Sequence, residues 1–152
     1  MKRKKLGMIT SSGGHLFQIY QLKPLWSKYD RFWVTFFGSS TESLLKGEKL
    51  YYGFYPESRN VLNAIKNTFL AVFILIKEKP DVLISFGAGI APPFFYVGKL
   101  LGMKLVFIEP YDFIKEPSLT ARFIEPIADL FLVQNRNQLN YFKKARYWGS
   151  TI

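Results

Sequence analysis

The chain has 152 residues, 49% of them apolar and 18% aromatic, and a formal charge of +10 from 21 basic and 11 acidic side chains. That length holds about one domain, and the apolar fraction excludes a disordered chain, which lacks the surface to offset ordering entropy. With no cysteine and a single histidine, His15, disulfides, thiolate metal sites, cysteine nucleophiles and multi-histidine metal centres are excluded, while the positive charge points to an anionic partner: nucleic acid, acidic lipid or a phosphorylated substrate.

The N-terminus, Met1-Lys2-Arg3-Lys4-Lys5, is basic like the start of a signal peptide, but the apolar stretch behind it, 6–10, is too short for one. The longest apolar run, 69–76, falls far short of the roughly 20 residues that span a bilayer. The expectation is a chain made without export and adsorbed at a membrane rather than threaded through it.

Strand and helix patterns alternate along the sequence. Residues 5–10 form a first strand, 11–14 a turn, and 15–26 a helix with Leu16, Ile19, Tyr20 and Leu22 on one face. A strand at 31–37 and a short helix at 41–46 follow, then a third strand at 49–54. The longest helix covers 60–78 and ends at Lys79-Pro80, since a residue before proline leaves the α region. Next come a buried strand at 82–86, a glycine-containing loop, a helix at 93–101, a strand at 105–109, a helix at 118–128, a strand at 130–133, a short helix at 138–142 and a last strand at 144–148. Such alternation builds βαβ units and a parallel sheet with helices on both faces, a Rossmann-like α/β fold in one domain over 1–152.

In such sheets ligands bind where strands run out into helices. Three of these loops carry suitable chemistry. Ser11-Ser12-Gly13-Gly14-His15 opens the first helix, with glycines for close approach, free N–H groups for an anion, and an imidazole for a hydroxyl proton. The alternative is a plain tight turn with an exposed histidine. It is neither a dinucleotide fingerprint nor a Walker A loop. The loop of Gly87 and Gly89, running into Pro92-Pro93, either leaves room for a ligand or simply makes a compact connection. Glu109 and Asp112 close an apolar strand, and Glu109 is expected to reach the same cleft as base, hydroxyl anchor or orienter of His15; the alternative is a capping carboxylate or a salt bridge. The helix at 60–78 is apolar nearly all round in its second half, with Lys66 and Lys77 beside Phe69, Leu70, Phe73 and Ile74. Such a face suits an anionic membrane interface or a subunit contact. The basic residues are scattered and no nucleic-acid motif is present, so no nucleic-acid partner is expected.

A set of segments in fixed order carries a family resemblance: Ser-Ser-Gly-Gly-His-Leu at 11–16, Arg-Phe-Trp-Val-Thr-Phe at 31–36, Arg59-Asn60, Asn-Thr-Phe-Leu-Ala at 67–71, Lys-Pro-Asp-Val at 79–82, Pro-Phe-Phe-Tyr at 93–96, Ile108-Glu109, Pro-Ser-Leu-Thr at 117–120 and Trp-Gly-Ser at 148–150. The chain resembles the PssD/CpsF-type glycosyltransferase subunits of capsule and exopolysaccharide synthesis, which are similar to the membrane-side subunit of the dolichol-pathway N-acetylglucosaminyltransferase. Glu109-Pro-Tyr-Asp112 stands where one branch of that family carries Glu-Val-Phe-Asp. The resemblance implies the N-terminal, acceptor-side half of a split GT-B enzyme like MurG, whose separate partner supplies the donor-binding C-terminal half. It implies inverting transfer from a UDP-sugar co-substrate to a sugar on a polyprenyl diphosphate at the inner face of the cell membrane, with no further cofactor and no metal. His15 is then the expected base and Glu109 its orienter or substitute. Ser11, Ser12, Gly13, Gly14, Gly87, Gly89 and Asp112 contact substrate, and Phe69, Leu70, Phe73, Ile74, Lys66 and Lys77 touch the membrane. The competing reading is a non-catalytic scaffold that recruits and activates a catalytic partner.

Overall fold

A computed structural model describes residues 3–57 and 59–151, which leaves Lys2 of the basic N-terminus outside the described residues. Seven strands form one parallel sheet: β1 (Lys5–Ile9), β2 (Asp30–Thr35), β3 (Leu50–Tyr52), β4 (Val82–Ser85), β5 (Lys104–Ile108), β6 (Leu130–Val133) and β7 (Ala145–Tyr147). Their order is β3-β2-β1-β4-β5-β6-β7. The chain thus builds outward from β1 in one direction and then crosses to start again at β4. The two strands on either side of that switch, β1 and β4, pair Leu6 with Val82 through Ile9 with Ser85. Diverging connections there leave a crevice at the carboxyl edge, where ligands of this architecture bind.

The helices are α1 (Gly14–Tyr20), α2 (Lys23–Trp26), α3 (Ser39–Leu44), α4 (Val61–Glu78), α5 (Ala91–Leu100) and α6 (Leu119–Ile124), with a 3-10 turn at Arg136–Asn140. Alternate residues of each strand feed two cores. Phe32, Val34, Leu83, Leu105 and Phe107 pack under α4, α5 and α6 against Ile74, Leu75, Phe94, Phe95 and Ile124. Leu6, Met8, Trp33, Ile84 and Ile108 pack on the other face against Leu16, Ile19, Trp26 and Leu45. Burial on both faces explains the nearly unbroken apolar sequences of β4 to β6.

Most expected elements fall within a few residues of their places, with two corrections of substance. The helix expected over 15–26 is broken after Tyr20 into α1 and α2. Pro24 is the cause: it has no N–H to give the Tyr20 carbonyl and its ring would collide with it. The helix expected over 118–128 likewise stops at Ile124, two residues ahead of Pro126. The longest helix does span Val61–Glu78, capped by the Asn60 side chain accepting from the Asn63 N–H at 3.0 Å. Lys79 leaves the helical region as expected, but into the left-handed conformation, φ 48°.

One buried carboxylate organises the lower edge of the sheet. Glu78, at the end of α4, accepts from Lys5 Nζ and Lys49 Nζ, each at 2.6 Å, and from the Tyr51 hydroxyl. These partners hold its carboxyl down to about 2 although burial opposes the charge.

Candidate active site

The first loop leaves β1 at the switch point. Thr10 and Ser11 are buried, Gly13 and Gly14 exposed, and His15 half-buried in the first turn of α1. Gly13 has φ 81°, a left-handed conformation that suits glycine. A Cβ at Gly13 or Gly14 would meet no protein atom, so the space beside the loop is open. The Gly13 N–H donates to Ser40 Oγ at 3.1 Å, which leaves the other first-turn N–H groups of the uncapped α1 for a ligand. Ser11 Oγ lies 2.9 Å from His15 Nδ1 and fixes the ring. Burial pulls the His15 pKa below its ordinary value, opposed by the negative charges of Asp112 and Glu57. The imidazole is therefore neutral at pH 7, the form that accepts a proton.

The second loop follows β4. The Gly87 N–H donates to Ser85 Oγ at 3.0 Å, and φ of 104° at Gly87 turns the chain. Gly89 serves close approach: a Cβ there would lie 2.8 Å from the carbonyl oxygen of Glu57. Segment 53–57 is thereby laid over the start of α5, and α4 clasps it from the other side. Asn67 Oδ1 accepts from the Phe54 N–H at 2.8 Å while its Nδ2 donates to the Phe54 carbonyl at 3.1 Å, and Asn63 Nδ2 donates to the Pro56 carbonyl at 2.9 Å.

The third loop departs from expectation at its best-known residue. Glu109 does not project into the cleft. It is fully buried, and its two oxygens accept from the Ser118 N–H at 2.7 Å and the Ser118 hydroxyl at 2.9 Å. Ser118 Oγ in turn accepts from the Ala121 N–H at 3.0 Å and caps α6. Burial pushes the Glu109 carboxyl up to about 7; the Ser118 hydrogen bonds hold it back and the charge of Asp112 adds to the rise. Asp112 itself is exposed, with Oδ1 3.5 Å from Gln18 Nε2. A buried amide relay that the sequence reading missed locks this loop to α1. Gln18 Oε1 accepts from Gln134 Nε2 at 2.8 Å and from the Tyr111 N–H at 3.1 Å, and Gln138 Nε2 donates to the Pro110 and Phe113 carbonyls, each at 3.0 Å.

Together the loops frame a cleft of about 620 Å³ that His15 shares with Glu57, Arg59, Gly89, Tyr96 and Ser118. Of the residues expected at substrate, His15 and Gly89 are thus in its wall, whereas Ser11, Ser12, Gly13, Gly14, Gly87, Glu109 and Asp112 are not. Glu57 carries no signal in the sequence, and Arg59 and Tyr96 enter only within the segments of the family resemblance and not as site residues, because the three converge only through the strand order. The described residues contain no cluster of metal-ligating side chains.

On α4, Phe69 and Phe73 are exposed at 73% and 61%, Lys66 and Lys77 are exposed, and Leu70 is half-buried. Ile74 is a correction: it is wholly buried against the sheet. The outward stripe instead runs through Val61, Leu62, Ile65, Phe69, Val72, Phe73 and Ile76. Among the described residues no helix is long and apolar enough to cross a membrane.

A doubly wound parallel sheet with its crevice between β1 and β4 is a GT-B-like half-molecule fold. Acinetobacter baumannii MurG superposes with a TM-score of 0.76 at 18% identity, over 97% of this chain and 46% of that one. The UDP-N-acetylglucosamine 2-epimerase of Rickettsia bellii gives 0.76 at 14% identity, over 99% of this chain and 46% of that one. The chain thus spans about half the length of these solved structures. It belongs to the family described as oligosaccharide biosynthesis protein Alg14 like, whose model matches residues 55–151. It is also similar to the UDP-N-acetylglucosamine transferase subunit ALG14 of Candida albicans, at 26% identity over 97% of this chain and 78% of that protein. The Debaryomyces hansenii protein of the same name is 24% identical over all of this chain and 78% of its own length.

Proposed function

We propose that this chain is the acceptor-side half of a two-chain inverting glycosyltransferase. A separate partner binds the UDP-sugar donor, and the acceptor is a saccharide on a polyprenyl diphosphate, in capsule or exopolysaccharide synthesis at the inner face of the cell membrane. The observation that carries this reading is the match of nearly the whole chain to just under half of MurG, with a cleft at the switch point lined by a neutral histidine. His15 takes the proton of the attacking acceptor hydroxyl, and the free N–H groups at the start of α1 face the diphosphate of the departing UDP. Glu109 acts through Ser118, holding the start of α6 against the cleft, and is a positioning residue.

The test is co-expression with the donor-binding chain and transfer of label from UDP-sugars to membrane lipid. Activity that needs both chains is the expected result and identifies the donor. Full activity from this chain alone overturns the half-enzyme reading.

The α4 stripe supplies membrane contact in the same reading. Burying a phenylalanine fully is worth about 1.5–3 kcal/mol. Phe69→Ser with Phe73→Ser therefore lowers partition into anionic vesicles by about tenfold or more, with circular dichroism unchanged because both side chains are exposed. Salt weakens binding of the unaltered chain through Lys66 and Lys77. Undiminished partition of the double variant would move the membrane surface elsewhere.

A further inference from the structure

The cleft beside His15 is chemically divided. Its charged side chains are Glu57 and Arg59, and the Glu57 carboxylate is near enough to act on the His15 imidazole. Neither Glu57 nor Arg59 forms an ion pair among the described residues. The remaining wall is mainly apolar, with Ala64 of α4, Pro92 and Pro93 of α5, Phe113, and Leu119 and Phe123 of α6; of its three hydroxyls, Tyr96 donates to the Phe123 carbonyl at 2.9 Å, Ser118 donates to Glu109, and the third belongs to Thr120. The start of α5 would ordinarily offer free N–H groups, but prolines at its second and third positions carry none, and Ala91 N–H is taken by the Ala88 carbonyl at 3.1 Å. A sugar seated there would find few partners for its hydroxyls, since those of Tyr96 and Ser118 already donate to protein, at a cost that hydrocarbon does not incur. The volume lies in the range of small-molecule sites, roughly 300–1,000 Å³. Leu119 and Phe123 are 65% and 53% exposed at the rim, and on α4 the lining residue Ala64 sits beside exposed Ile65, itself one turn from exposed Phe69.

We infer that this cleft is a binding site for the hydrocarbon nearest the phosphate of a prenyl diphosphate, with Arg59 on the phosphate and the far end of the chain leaving along the α4 stripe. The inference rests on the acceptor-side reading above and adds to it that the lipid is recognised by the protein, and not only by the bilayer. Glu57 and His15 are then left to meet the hydroxyl of the sugar that the diphosphate carries.

The test uses the full chain without vesicles or partner and measures binding of farnesyl diphosphate, farnesol and inorganic pyrophosphate by calorimetry. Farnesyl diphosphate is expected to bind at least about tenfold more tightly than either fragment. Leu119→Asp with Phe123→Ser, both at exposed positions, should weaken it about tenfold or more, as should Arg59→Glu, while Leu100→Ser, 87% exposed at the end of α5 and outside the cleft, leaves it unchanged. Equal affinity for pyrophosphate and farnesyl diphosphate overturns the inference, as does indifference to the Leu119 and Phe123 changes. Lipid transfer by the two-chain complex without farnesyl diphosphate binding removes this inference alone. Binding without partner-dependent transfer removes the transferase reading and leaves a prenyl diphosphate site.

Discussion

His15→Ala, assayed in the complex with the donor-binding chain, is expected to lower sugar transfer by about 100-fold to 10,000-fold while the two chains still co-purify. The geometry gives the reason. Ser11 Oγ sits 2.9 Å from Nδ1, so one ring nitrogen is committed. For Nε2 to accept the acceptor's proton, Nδ1 must carry the ring hydrogen and donate it to Ser11 Oγ, the tautomer that suits a base. Ser11→Ala frees that choice and is expected to lower kcat more than it changes KM. Burial holds the His15 pKa below its ordinary value, so the acid limb of the kcat profile should fall below the usual histidine range, about 6.5. Asp112→Asn removes a charge that raises this pKa, and should move the limb further toward acid. Near-normal turnover of His15→Ala would leave the scaffold reading, in which the partner carries all the chemistry. His15 is half-buried and contributes no cavity to the core, so its loss should not unfold the chain.

The place of the first loop was legible in the sequence for a local reason. Ser11 to His15 follow an apolar strand and open a helix, and that order alone places them at the carboxyl edge. What stayed hidden depends on the strand order. Glu57 and Arg59 follow β3, an edge strand, and reach the cleft only because Gly89 lets their backbone down onto α5 and Asn63 and Asn67 hold it there. Glu109 read as a cleft residue because a carboxylate at a strand end ordinarily meets solvent; the turn that brings Ser118 back over it is nine residues away. On α4 the apolar residues surround the helix, so periodicity could not tell buried Ile74 from exposed Phe73. The break at Tyr20 had a signal in Pro24, and the helical spacing of Leu16, Ile19, Tyr20 and Leu22 masked it.

Glu109 and Glu78 are expected to make stability depend on pH in opposite directions. Glu109 has its carboxyl raised from 4.5 to about 7 in the fold. A raised value means that the native state holds the proton more tightly than the unfolded chain. Its contribution is whole below about pH 4.5 and is lost as pH climbs through 7. At about 1.4 kcal/mol per pH unit, that span is worth roughly 3 kcal/mol. Glu109→Gln cannot ionise. The Ser118 hydroxyl must also turn to accept from the new amide, which leaves its own proton without the Glu109 acceptor and lowers stability by about 1 kcal/mol at every pH. The variant should therefore be the less stable protein at pH 4 and the more stable one at pH 8, with urea midpoints crossing in between. Parallel curves would show that the carboxyl is not raised. Glu78 runs the other way. Lys5, Lys49 and Tyr51 hold its carboxyl at about 2, so its contribution is whole above about pH 4.5 and fades as pH falls toward 2. Asp129 and His15, also lowered in the fold, add loss on the acid side, His15 from about pH 6.5 downward. Because the Glu78 side chain is only 2% exposed and Lys5 is 23% exposed, Glu78→Ala leaves a partly buried ammonium without its carboxylate, at a cost of about 3 kcal/mol at pH 7. For a chain of this size that lowers the melting temperature by roughly 6–12 °C. The loss should shrink toward pH 2, where the native carboxylate is itself protonated; a loss that stays constant down to pH 2 would assign the effect to packing instead of to the ion cluster.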